Sequence, residues 1–269
     1  MNWPDDYINK IIQGDCSEVM KGMPDKSVDL VVTSPPYDNL RTYEGYKFNF
    51  ETVAEELYRI IRPGGVLVWV VGDSVVNGSE TGNSFRQALY FKGCSFNLHD
   101  TMIYQSEKPP LTHNRYEQKF EYMFIFSKGS PKSFFPLLEK TIYFGANLNR
   151  PKVIKGSRSQ NSAIRSRNED MGKVKEFKYK GNIWSYKTGG GQTSKDSFSF
   201  EHPATFPELL ANDHIVSWSK EGDLVLDPMN GSGTTTKMAK ILNRKFMGIE
   251  ISKKYCKIAE DRLRQESLF

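Results

Sequence analysis

Apolar residues recur along the chain in two rhythms. Short, nearly continuous apolar runs stand at 28–32 (Val-Asp-Leu-Val-Val), 66–71 (Val-Leu-Val-Trp-Val-Val), 224–226 and 246–250. Such runs are long enough for a strand and too short for a helix, and they read as strands covered on both faces. Residues 8–14 read as a further strand ending at a turn, and 99–105 and 122–126 as two more. Between the strands the spacing becomes helical. In 50–62, Val53, Leu57, Ile60 and Ile61 share one face, and Pro63-Gly64-Gly65 stops the helix. Residues 17–22, 83–92, 208–217, the stretch from Thr235 to 242, and 253–266 also read as helices. In the last of these, Tyr255, Ile258, Ala259 and Leu263 fall together. The order strand, helix, strand predicts parallel βαβ units. Residues 38–49 have no clean period and read as a mobile loop.

The pattern fails over 130–199. Gly, Ser, Asn, Lys and Arg dominate there, with scattered aromatics such as Tyr143, Phe144, Phe177, Tyr179, Trp184 and Tyr186. Charge concentrates in the same place. From Lys140 to Lys195 there are thirteen Lys/Arg against three Asp/Glu, whereas the whole 269-residue chain carries a net charge of +5. The remainder is therefore acidic, and the basic block reads as a nucleic-acid-facing insertion. Arg158, Arg165 and Arg167 are candidates for reading guanine edges, and most of the Lys and Arg for contacting phosphates. The polar turn at 108–115 is read equally well as a phosphate contact or a solvated loop.

The rest of the composition excludes rather than suggests. No apolar run approaches membrane-spanning length, and the first residues, Met1-Asn2-Trp3-Pro4, do not form a signal peptide. Cys16, Cys94 and Cys256 are odd in number and far apart, with no metal-ligand spacing. No disulfide framework and no metal is expected, and a cytoplasmic location is.

Three stretches carry chemistry. The strand 28–32 runs into Thr33-Ser34-Pro35-Pro36-Tyr37. Neither proline can donate to a sheet ladder, and Ser34 is pushed towards extended geometry by the proline after it. The outcome is a stiff hook at the carboxyl end of a strand, where open α/β sheets bind ligands. The strand 224–226 runs into Asp227-Pro228-Met229-Asn230-Gly231-Ser232-Gly233-Thr234-Thr235 and then a helix, a nucleotide-type cradle. Glu250 ends the next strand, at the spacing of a carboxylate that grips a ribose diol. The third glycine of the dinucleotide fingerprint is missing, and so is the lysine of a P-loop. A carboxylate before the glycines repels a pyrophosphate but suits an ammonium group, which points to S-adenosylmethionine.

Ser34-Pro35-Pro36-Tyr37, the Asp227 loop, Met247-Gly248-Ile249-Glu250, and His202-Pro203-Ala204-Thr205-Phe206-Pro207 upstream of the loop together resemble the amino DNA methyltransferases. With the hook first and the cofactor loop near the C-terminus, their order resembles the circularly permuted β group. The resemblance spans 8–130 and 200–266 and implies a doubly wound, mostly parallel, Rossmann-like α/β fold. It implies a catalytic part at 1–130, a basic target recognition region at 131–199, and a cofactor-binding part at 200–269. By resemblance, Asp227, Pro228, Met229 and the turn Gly231, Ser232, Gly233 hold the methionine portion, with Thr234 and Thr235 at the helix start. Glu250 binds the ribose hydroxyls. Asp15 accepts from the adenine amine, although an Asp there also suits a helix cap. The Cys16 N–H reaches the adenine ring, and His202, Pro203 and Phe206 wall the pocket.

Ser34 at the first hook position resembles the enzymes of this family that methylate N4 of cytosine, with N6 of adenine as the alternative. The reaction expected is base flipping out of double-stranded DNA, stacking on Tyr37, and direct in-line transfer, with Ser34 Oγ and the Pro35 carbonyl accepting the amine hydrogens and Pro36 stiffening the hook. The absence of a Pro-Cys pair argues against C5-cytosine chemistry. The resemblance also implies a place in a restriction-modification system, with a cognate endonuclease as functional partner. A DNA-binding protein that has lost catalysis, and an RNA methyltransferase, are the other readings.

Overall fold

A computed structural model describes residues 1–36, 48–106, 116–142, 144–145, 174–187 and 207–265. Their elements are, in chain order, β1 (Lys10–Gln13), α1 (Cys16–Lys21), β2 (Val28–Thr33), α2 (Phe50–Ile60), β3 (Ile61–Val71), β4 (Val75–Val76), β5 (Ser79–Glu80), α3 (Asn83–Gly93), β6 (Asn97–Ser106), β7 (Phe120–Ser127), β8 (Leu138–Lys140), β9 (Phe177–Tyr179), β10 (Ile183–Tyr186), α4 (Glu208–Trp218), β11 (Leu224–Asp227), α5 (Thr234–Ile241), β12 (Lys245–Glu250) and α6 (Lys253–Arg264). The expected loop at 38–49 falls mostly outside the described residues, as do Arg158, Arg165, Arg167 and the whole of 108–115.

The main sheet has eight strands in the order β1-β12-β11-β2-β3-β7-β6-β10. All neighbours pair in parallel except at β7, which is antiparallel to both β3 and β6. The expected doubly wound, largely parallel α/β fold is thus present. From β2 the chain passes through α2 to β3 on one side. From β11 it passes through α5 to β12 on the other. The winding reverses between β11 and β2, and that is where such sheets open a ligand crevice.

Both faces of the sheet are covered. One layer holds α1, α2 and α3, packed in sequence, and the other α4, α5 and α6. The pleat of the buried strands divides their side chains between the layers. Val31, Leu67, Trp69 and Val71 join the core under α2 with its Val53, Ala54 and Leu57. Trp69 and Phe91 are fully buried with ring centroids 5.0 Å apart, and Gln87 Oε1 accepts the Trp69 indole N–H at 2.8 Å. The indole's polar atom is thereby satisfied inside an apolar core.

Two boundaries differ from the sequence reading. The helix α2 stops at Ile60 and β3 starts at once, running through Pro63-Gly64-Gly65 rather than after it. The residue before a proline is driven to extended geometry, so the strand begins earlier, with a register shift between Val28 and Leu30 on its partner. The strand β10 arises inside the stretch where periodicity is lost. It has Trp184 and Tyr186 buried and Ile183 and Ser185 exposed, an alternation too short to register as a pattern.

Backbone contacts divide the chain into two compact units, 1–135 with 182–269, and 136–181. Within the smaller unit, β8 pairs antiparallel with β9, with Glu139 opposite Lys178 in register and in a 2.9 Å ion pair. Its Leu138, Ile142, Phe144, Phe177 and Tyr179 are exposed. Among the described residues, no helix is long and apolar enough to cross a membrane.

Candidate functional site

The carboxyl ends of four neighbouring strands, β1, β12, β11 and β2, bring the sequence-predicted residues together. Asp15 and Cys16 follow β1, Glu250 ends β12, Asp227 ends β11, and Ser34, Pro35 and Pro36 follow β2. Tyr37, His202, Pro203 and Phe206 lie outside the described residues.

The hook and the loop are joined directly. Thr33 Oγ1 donates to Asp227 Oδ1 at 2.7 Å, across 194 positions of sequence. Thr235 Oγ1, in the first turn of α5, donates to the Val32 carbonyl at 3.0 Å. The strand end that presents Ser34 is therefore fixed to the end of β11 and the start of α5 by two buried bonds. Thr33 is fully buried, Pro35 is buried, and Ser34 and Pro36 are half-buried at the rim.

Asp227 is 1% exposed, and burial pushes its carboxyl up from 3.8 to about 6. Donors from Thr33 and Met229 oppose that rise, and the nearby Glu250 carboxylate adds to it. Glu250 is itself buried, accepting the Gly231 N–H on Oε2 at 2.8 Å and the Ser252 N–H on Oε1 at 2.9 Å. Two buried carboxylates close enough to raise each other's proton affinity favour a positive charge beside them.

The loop needs its glycines. Gly233 has φ +83°, and a Cβ there would sit 2.8 Å from Ala259 Cβ on α6. Gly233→Ala combines a left-handed backbone with overpacking and is expected to destabilise the protein by about 2–4 kcal/mol. Thermal unfolding checks this, and an unchanged melting temperature would count against the close packing of α6 on the loop. Gly248 on β12 is closed off in the same way, since a Cβ would lie 2.6 Å from Asn230 Cγ.

Asp15 caps α1. Its Oδ1 accepts from Ser17 N at 2.7 Å and from Ser17 Oγ at 2.6 Å. This is the capping role. Cys16 is buried, and desolvation with the Asp15 charge pushes its thiol up to about 12. Burial raises Cys94 as well, and Cys256 to about 11. All three thiols stay protonated at neutral pH, so none is poised as a thiolate nucleophile.

Three positions that brace the candidate site escape the sequence reading. Thr33 reads as the approach to the hook, yet it is the link between hook and loop. Asn230 Oδ1 accepts from Thr236 Oγ1 at 2.9 Å, bracing the loop onto α5. Arg262, fully buried on α6, donates to the loop. A signal for it is present: it stands four positions after Ile258 and three after Ala259, on the helix's apolar face.

Comparison with known proteins gives the family and the fold. The family model N6_N4_Mtase, described as DNA methylase, matches residues 28–261. The chain belongs to this DNA methylase family. A relative from Bacillus amyloliquefaciens, the orphan methyltransferase M.BamHII, is 54% identical over 241 residues, covering 89% of this chain and 90% of the relative. The type II methyltransferase M.BglII of Bacillus subtilis is 29% identical over 96% of this chain and 69% of its own length. Among solved structures, the PvuII DNA methyltransferase (cytosine-N4-specific) has a TM-score of 0.68 at 20% identity, covering 96% of this chain and 87% of that one. TTHA0409 of Thermus thermophilus, solved with S-adenosyl-L-methionine, has a TM-score of 0.62 at 24% identity over 95% and 93% of the two chains. Both structures are alike in fold. For this DNA methylase, then, the switch-point crevice with its hook and acidic loop is the part of the fold that remains to be given roles.

Proposed function

We propose that this DNA methylase transfers a methyl group from S-adenosylmethionine to the exocyclic N4 of cytosine in duplex DNA. The observation that carries the reading is the Thr33–Asp227 bond at 2.7 Å, which couples the hook to the acidic loop at the switch point. When bound, S-adenosylmethionine supplies an electrophilic methyl on a sulfonium. Asp227 and the turn 231–233 hold its methionine portion, Glu250 its ribose hydroxyls, and Asp15 and Cys16 its adenine, with His202, Pro203 and Phe206 as the wall.

The hook does the work on the base. An exocyclic amine is a poor nucleophile because its lone pair is delocalised into the ring. Ser34 Oγ and the Pro35 carbonyl accept hydrogen bonds from its two N–H groups, turn the nitrogen towards tetrahedral geometry, and aim the lone pair into the crevice, and the nitrogen releases one proton to water once methylated. Pro36 stiffens the hook and Tyr37 stacks on the flipped base. No covalent enzyme intermediate is needed, in keeping with three protonated thiols.

The region 131–199 recognises the target through its basic block. The choice of cytosine rests on Ser34. A restriction endonuclease partner, implied by the family resemblance, finds no support in the name of the 54% identical relative, an orphan methyltransferase.

Duplex DNA treated with the protein and S-adenosylmethionine, then digested to nucleosides, is expected to yield N4-methylcytosine by mass spectrometry. N6-methyladenine instead would overturn the base assignment. Cofactor binding with no methylated nucleoside from any DNA would overturn the enzymatic reading, and preferential methylation of RNA would overturn the substrate.

A further inference from the structure

Behind the acidic loop lies a charge cluster centred on a buried arginine, and it reaches the loop at Ser232 and Thr234. Arg262 on α6 is fully buried. Its Nη1 donates to the Ser232 carbonyl at 2.7 Å, and lies 3.1 Å from Ser232 Oγ and 3.3 Å from Thr234 Oγ1. Its Nη2 donates to Glu208 Oε1 at 2.7 Å, and Lys237 Nζ on α5 reaches the same oxygen at 2.9 Å. Glu208 is the first residue of α4. One guanidinium thus ties together the loop, the start of α5 and the start of α4.

A buried Arg that is not needed is a costly residue, since taking its charge out of water is unfavourable unless every arm is engaged. Its position explains what it supports. The turn 231–233 is gripped from two sides: Glu250 holds the Gly231 N–H, and Arg262 holds the next residue's carbonyl. With Ser232's carbonyl drawn back towards α6, the loop cannot rotate that dipole into the crevice, where it would confront the pocket that Asp227 and Glu250 define. Lysine could satisfy one of these partners but not the forked set.

We propose that Arg262, with Glu208 as its counter-charge, is a positioning residue that presets the 231–233 turn for S-adenosylmethionine, acting through Ser232 without touching the cofactor. The proposal rests on the reading of this loop as the cofactor site. A role confined to holding α6 in place would lower stability and leave cofactor affinity in the folded fraction unchanged.

The test is calorimetric binding of S-adenosylmethionine, with steady-state methyl transfer and thermal unfolding alongside, for Arg262→Lys, Arg262→Met, Glu208→Gln and the control Glu250→Gln. Arg262→Met is expected to raise the cofactor Kd and KM about tenfold with a smaller fall in kcat, and Arg262→Lys to recover part of that loss. Glu208→Gln keeps the shape while removing the charge, and should raise Kd about threefold. It also serves if Arg262→Met fails to fold. Wild-type Kd in the folded Arg262 and Glu208 variants, alongside weakened binding in Glu250→Gln, overturns the positioning role alone. Wild-type Kd in Glu250→Gln overturns the loop as the cofactor site, and the positioning role with it.

Discussion

Ser34→Ala is expected to lower kcat for DNA methylation by about 10²-fold, while the Kd for S-adenosylmethionine stays within about twofold. The reasoning is geometric. Ser34 sits half-buried at the end of β2, one residue beyond Thr33, whose hydroxyl is committed to Asp227. In the proposed mechanism, removing Oγ takes away one of the two acceptors that pull the amine out of conjugation, an interaction that strengthens only as the nitrogen becomes tetrahedral. It leaves Thr33, the Val32 carbonyl and the loop they brace untouched. Thr33→Val is the informative contrast. It breaks the link between hook and loop, so cofactor affinity and turnover should fall together. Single-turnover kinetics with titrated cofactor separates the two cases, and an equal loss of affinity and rate in Ser34→Ala would make Ser34 a structural residue.

Much of this site is legible because its chemistry is local in sequence. A strand run ending in Ser34-Pro35-Pro36 and another ending in Asp227 with spaced glycines each announce a strand-to-loop exit, and the parallel winding follows from strand–helix alternation. How the two exits meet cannot be read from them. Nothing in residues 28–37 specifies that Thr33 faces Asp227, because that contact exists only once β2 and β11 are paired. Arg262 is hidden for a related reason. Charged residues on a helix are read as solvated, and only the packing of α6 on the loop and on α4 makes this one buried and fully partnered. The early start of β3 and the strand β10 escape the sequence because tertiary pairing overrides weak local signals, a proline-glycine break in one case and four residues of alternation in the other.

Asp227 carries the second large effect, and it is one of pH. Its folded pKa is about 6 against 3.8 for the free side chain. The folded protein therefore holds this proton more tightly than the unfolded chain does. Through this group, stability is highest below the unfolded value, falls as pH rises through the window from 3.8 to about 6, and is lowest above it. The ionised, buried carboxylate then costs on the order of 3 kcal/mol. With the cofactor placed as proposed, its ammonium reverses the balance, because it requires the ionised form. The S-adenosylmethionine Kd of the wild type is expected to weaken as pH drops below about 6, approaching tenfold per unit, since less of the carboxylate is charged in the free protein. Asp227→Asn separates the two effects. Its amide oxygen can still accept from Thr33 and the Met229 N–H, and its amide nitrogen can donate to the Thr235 hydroxyl, which passes its own proton to the Val32 carbonyl. The variant should melt no lower than the wild type above pH 6, bind the cofactor at least about tenfold more weakly at neutral pH, and lose the acidic limb of the binding profile. Scanning calorimetry and cofactor titration from pH 5 to 8 check all three. A variant that keeps wild-type affinity, or one that still shows the limb near 6, would mean that the charge of Asp227 is not what the cofactor meets.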